Sequence, residues 1–130
     1  MTPTESTLDV IDRAAGLSPD AALYAARRFR KTVVDHTQAS HDALLFDAVD
    51  GLSTADRLRV AQCCCEAAGA ASLTQHYQAL LSDGIQDLEP PSPSLPAMLR
   101  WAELLIREPR RGDRAALQAL RDAGLPDAAI

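Results

Sequence analysis

Three cysteines stand side by side at Cys63-Cys64-Cys65, and their thiols are the first groups in the chain that could do chemistry. On a helix, neighbouring side chains point about 100° apart, so three adjacent thiols cannot converge on one metal ion. A structural zinc site would also need paired Cys-x-x-Cys spacing, which this sequence lacks. The run therefore reads either as small buried hydrophobes or as a redox-reactive thiol. Cys65 falls on an apolar stripe, with Cys63 or Cys64 more exposed. His36 and His41 are five residues apart and do not share a helical face, although Asp35 and Asp42 flank them. His76 differs, because it follows a Gly-broken junction and precedes Tyr77. It reads as a hydrogen-bonded residue at a helix contact or as a proton-transfer group, since histidine titrates near neutral pH. Glu66, on the far side of that junction, reaches His76 if the two helices pack antiparallel. Arg107, Arg110, Arg111 and Arg114 form a basic cluster at a helix end, read as a solvated turn or as a site for an anion or acidic partner. The sequence has no glycine-rich phosphate loop, nucleophile elbow or metalloprotease motif, and neither a metal nor a cofactor is expected.

These groups must be positioned by helices. The chain of 130 residues holds 24 alanines and 18 leucines against nine valines and isoleucines, with 4% aromatics, which favours helix over strand. A first helix is expected over about Thr4 to Ala15, closed by Gly16. Ser18-Pro19-Asp20 then starts a helix running to about Val34. Its buried stripe would be Leu23, Ala26, Phe29 and Val33, with Arg27, Arg28, Arg30 and Lys31 mostly outward. A separate segment follows over about Ser40 to Val49. After the Asp50-Gly51 turn, Ser53 caps a helix from Thr54 to about Ala68 with an acid at Asp56, and Gly69 breaks it. Ser72 caps the next helix, which carries His76 and ends at Asp83-Gly84 with Gly84 left-handed. Ile85 to Pro96 reads as a proline-rich loop. Further helices begin at Ser94-Leu95-Pro96 and at Asp113, and Leu125-Pro126-Asp127 opens another. The fold class is all-α, seven or so helices in one domain over 1–130. Its parts are N-terminal helices (1–52), a core helix pair (53–84), the loop (85–96) and C-terminal helices (97–130).

Thirteen basic against 18 acidic residues leave a net charge of −5. That balance opposes sequence-independent binding to nucleic acid or to an anionic membrane surface. No apolar stretch approaches the ~20 residues that span a bilayer, and the first ten residues lack the basic start of a signal peptide. We read a reduced, cytoplasmic protein with neither a nucleic-acid nor a membrane partner.

Three stretches, taken in order, resemble one family. Arg57-Leu-Arg-Val-Ala-Gln-Cys-Cys-Cys-Glu-Ala-Ala-Gly69 through Ser72-Leu-Thr-Gln-His76 to Leu81 is similar to the central helix pair of the carboxymuconolactone decarboxylase and alkylhydroperoxidase-like proteins. Met98-Leu-Arg-Trp-Ala-Glu-Leu-Leu-Ile-Arg-Glu-Pro109 resembles their next core helix. Ala115 to Ile130 resembles their short helix, Ala-Gly-Leu turn and new helix start. The resemblance implies an alkylhydroperoxidase-like helical bundle, a homo-oligomer, a possible small-molecule ligand and a further apolar helix after Ile130. Peroxidase members carry Cys-x-x-Cys-x-x-x-His. With the histidine set on His76, the cysteine positions hold Gly69 and Ser72, so the redox dithiol is absent. The family's upstream acid falls near Asp56, beside Arg57. The expected site is therefore His76 with Asp56 or Glu66, and the expected function is a divergent family member of unassigned chemistry. The alternative is a non-catalytic helical oligomerisation or interaction module.

Overall fold

The computed structural model describes residues 8–130. All regular structure among them is helical, apart from one isolated bridge between Val49 and Leu52. The described residues divide into two compact units, 8–46 and 47–130.

The first unit holds α1 (Val10–Ala14), α2 (Ala22–Arg27) and α3 (Lys31–Phe46), with a 3-10 turn at Arg28–Arg30 joining the last two. Asp9 starts α1: its Oδ1 accepts from the Asp12 amide at 2.8 Å, and the Asp12 carboxylate accepts from the Asp9 amide at 3.2 Å. This reciprocal pair satisfies two of the donors that every helix start leaves over. The helix expected from Thr4 thus begins at Val10 among the described residues; positions 4–7 lie outside them. The helix expected from Pro19 begins later, at Ala22, and the break expected between Val34 and Ser40 is absent. Spacings of four residues carry α3 through that polar stretch. Lys31 pairs with Asp35, Gln38 donates to Asp42, and the Thr37 hydroxyl donates to the Val33 carbonyl.

The stripe of this helical run that was expected to be buried is exposed, while Arg30 and Lys31 lie outward as expected. Phe29 is 92% exposed, Leu23 58% and Val33 49%, while Arg27 and Arg28 turn inward. The periodicity located the apolar stripe correctly, but a stripe does not say which side is covered.

The second unit holds α4 (Thr54–Ala67), α5 (Ala71–Ala79), α6 (Leu95–Arg107) and α7 (Arg114–Asp122). Ser53 caps α4 as expected, its Oγ accepting from the Asp56 amide at 3.0 Å. Gly69, at φ +72°, turns the chain tightly into α5. That helix starts at Ala71 with no side-chain cap, so Ser72 does not cap it. It runs on through a π turn over Leu80–Gly84, and Gly84 is not left-handed. Asp113 caps α7 by accepting from the Ala116 amide at 2.9 Å. The Ser94 hydroxyl does not cap α6 but donates to the Ala123 carbonyl at 3.0 Å, tying the start of α6 to the end of α7. The core gathers Leu95, Ala97 and Met98 of α6 with Leu120 and Leu125, and Leu52 and Val60 pack against them. Gly51, at φ +77°, lies so close to the Pro126 ring that a Cβ there would meet Cγ at 2.9 Å. Only glycine fits both the backbone and the space.

Candidate functional site

α4 and α5 form a short hairpin and carry the expected site residues. Asp56, in the first turn of α4, is almost fully buried. Its Oδ1 accepts from Arg59 at 2.8 Å and its Oδ2 from the Ser92 amide at 3.2 Å. Arg59 also donates to the Glu89 carbonyl at 3.0 Å. The carboxylate therefore fastens the proline-rich loop onto the start of α4. Arg57 is buried as well and donates to the Asp47 carbonyl at 2.5 Å. Glu66 is exposed and accepts from Gln62 at 3.0 Å. It lies ten residues after Asp56, about 15 Å along the helix, so the two acids cannot both serve one histidine.

On α5, His76 is half-buried, its ring edge-on to Tyr77 at 5.1 Å. Tyr77 is the buried one, and burial, with Cys65 nearby, pushes its hydroxyl pKa up. The three thiols are half-buried and free of disulfides, and burial raises the pKa of each. Glu66 pushes Cys63 and Cys65 further in that direction. Cys63 also points its S–H toward the Leu99 carbonyl at 3.8 Å. A nucleophilic cysteine needs the opposite environment, one that holds the thiolate. Of the basic cluster, Arg107 pairs with Glu103 and Arg111 with Glu108, all at exposed positions, as in a solvated turn.

The strongest electrostatic constellation lies in the 8–46 unit, and the expected site did not include it. Asp12 is fully buried and Asp9 nearly so. Arg27 forks onto Asp9 through bonds of 2.9 and 2.7 Å and reaches Asp12 as well; Arg28 donates to Asp12 at 2.6 Å. The Arg28 guanidinium also stacks over the Tyr24 ring, 3.4 Å from its centre. A cleft of about 450 Å³ opens beside this cluster, between Leu8, Tyr24, Lys31 and Gln38. Arg27 holds the Asp9 carboxyl down at about 2, against an opposing push from burial. Burial would raise Asp12, but the bonds from Arg28, the Asp9 amide and Arg27 outweigh it, and its pKa is lowered. The legible signal was Asp9-x-x-Asp12, which has the same spacing as Ser53-x-x-Asp56. The partners, 15 and 16 residues further on, leave no local pattern.

These shifts give a pH prediction. Both carboxyls titrate lower folded than unfolded, so their stabilisation is full above the ordinary carboxylate range and disappears as pH falls through it toward 2. Asp9 alone contributes about 2 kcal/mol. Amide exchange at α1–α3 should accelerate between pH 5 and pH 3 after correction for the intrinsic rate; unchanged protection there would contradict the ion-pair account.

The His41 Nδ1 lies 2.9 Å from an Asp42 carboxylate oxygen, and that contact, the largest influence, lowers the Asp42 pKa. His36 is exposed on another side of α3 and does not join it. Among the described residues no group of three or more His, Cys, Asp or Glu side chains could hold a metal, and no helix is long and apolar enough to cross a membrane. Neither a protein-family model, nor a curated protein, nor a solved structure matches the chain.

Proposed function

We propose that this chain is a non-catalytic helical assembly module, built on an alkylhydroperoxidase-like helix pair without the redox dithiol and working in the reducing cytoplasm. One observation carries the reading: the 8–46 unit turns Arg27 and Arg28 inward onto two aspartates and leaves Leu23, Phe29, Val33 and Leu44 exposed to solvent. Exposed apolar side chains grouped on one helical run mark a surface that other protein covers. The chemistry of the helix pair supports the same reading, because Asp56 is committed to Arg59 and Ser92 and all three thiols are held protonated. The resemblance of Arg57–Leu81 to the family's helix pair supports the ancestry and a homo-oligomeric state.

Sedimentation velocity on the full chain tests the proposal together with a thiol-dependent assay using an organic hydroperoxide. Concentration-dependent mass above the monomer, slow reaction of all three cysteines and no turnover are expected. Turnover that His76→Gln abolishes would replace this reading with a catalytic one; a monomer at every concentration would remove the assembly role.

A further inference from the structure

The proline-rich segment between α5 and α6 is gripped by a buried bracket, yet it turns most of its own side chains outward. Leu88 to Ser92 form neither helix nor turn. Two residues from the start of α4 hold them. Arg59 donates to the Glu89 carbonyl at 3.0 Å, Asp56 accepts from the Ser92 amide at 3.2 Å, and the two side chains bond each other at 2.8 Å. Asp56 is 1% exposed, so a carboxylate is taken out of water for this grip. Between and beside the two bonds, Glu89, Pro90, Pro91 and Pro93 are all exposed. Their residue types restrict the backbone. Each proline holds φ near −65°, and Glu89, Pro90 and Ser92 each stand before a proline and are pushed to extended geometry. Those constraints favour a polyproline turn, three residues long, which puts Pro90 and Pro93 on one edge. The carbonyls of Pro90 and Pro91 accept no hydrogen bond from the described residues. Asp83, Asp87 and Glu89 are exposed, and no lysine or arginine stands between Asp83 and Pro96.

We propose that Glu89–Pro93 is a docking strip for another protein, one whose groove is lined by aromatic rings and rimmed by lysine or arginine. Grooves of that kind seat the prolines of a polyproline turn between flat rings, and their ring N–H or O–H groups donate to its carbonyls. Here two exposed prolines stand three residues apart, and the carbonyls between them are open to accept. The acidic flank selects the basic rim. A free proline-rich peptide must be ordered as it binds, whereas this one is already fixed on a helix by Asp56 and Arg59. The buried carboxylate thus prepares a binding surface as well as closing a loop. Five residues cover far less than the ~800 Å² per partner of a standard interface, so the contact is transient. The strip lies in the 47–130 unit, and its docking does not depend on assembly of the chain with itself.

Proton–nitrogen NMR on the labelled full chain tests this, with purified SH3 and WW domains that carry lysine or arginine beside the groove as probes. At least one of them should shift the amides of Leu88, Glu89, Ser92 and Ser94 saturably, and bind less tightly as salt rises. Pro90→Ala combined with Pro93→Ala, both at exposed positions and with helix content checked by circular dichroism, should lower that affinity at least about tenfold. A synthetic peptide of residues 87–96 should bind about tenfold more weakly than the chain, because it lacks the bracket. Silence of those amides with both domain types would overturn the proposal. So would an affinity that the proline variant leaves unchanged, since the contact would then lie elsewhere. A peptide that binds as tightly as the chain would overturn the part given to Asp56 and Arg59.

Discussion

Asp12→Ala should unfold the N-terminal helices while leaving α4–α7 in place. The carboxylate is fully buried and is the meeting point of Arg27, Arg28 and the Asp9 amide. Removing it takes the carboxylate that holds Arg28 and one of the two that hold Arg27, and both side chains are mostly screened from water. Breaking a buried ion pair from one side costs about 3–5 kcal/mol, and both arginines keep some solvent access, which places the cost near the lower figure. Against a total stability of roughly 5–15 kcal/mol for an ordinary domain, that loss dominates a unit this small. Hydrogen exchange resolved by peptide reads it directly: protection should vanish over Val10–Phe46 and persist over Thr54–Asp122. Asp12→Asn, which keeps shape and hydrogen bonding but not charge, should fall between Ala and wild type. A urea midpoint for Asp12→Ala within error of wild type would show that the arginines find water instead.

The second large effect belongs to Leu58→Ala. Leu58 is fully buried in α4, one turn after the equally buried Ala55, in a helix that packs on both α5 and α6. Truncating such a side chain removes its transfer energy and leaves a cavity, a combined cost of about 2–5 kcal/mol. Thermal unfolding of the 47–130 unit should shift down by several degrees. Leu23→Ala supplies the contrast. An apolar pattern alone ranks the two leucines together, yet Leu23 is mostly exposed and its loss should move the monomer's stability by less than about 0.5 kcal/mol. Equal effects from the two would mean that Leu23 is covered.

What the sequence made legible were features written in neighbouring residues. The serine cap of α4, the Gly69 turn and the Asp113 cap of α7 each rest on side-chain-to-backbone bonds three residues long or on one left-handed position, and all three stand where expected. The continuity of α3 was missed because apolar periodicity lapses between Val34 and Ala43, where pairs four residues apart carry the helix instead. The face of α2 was inverted because burying Arg27 and Arg28 depends on Asp9 and Asp12, and no local spacing reports that pairing. The same reason hid the use of Asp56. Its position on α4 is plain from Ser53, but the Ser92 amide that occupies it arrives from a loop 36 residues away.

The approach of Gly51 to the Pro126 ring has a consequence for how the protein is made. The first turn of the 47–130 unit and its last one meet, with Leu52 and Leu125 in the same core. A chain emerging from the ribosome can complete α1–α3, whose ion pairs span fewer than twenty residues, and can close the α4–α5 hairpin soon after. The unit that follows stays open on one side until Pro126 has cleared the exit tunnel. During that interval α4 and α6 hold unfinished apolar surface, the condition in which nascent chains aggregate or recruit chaperones.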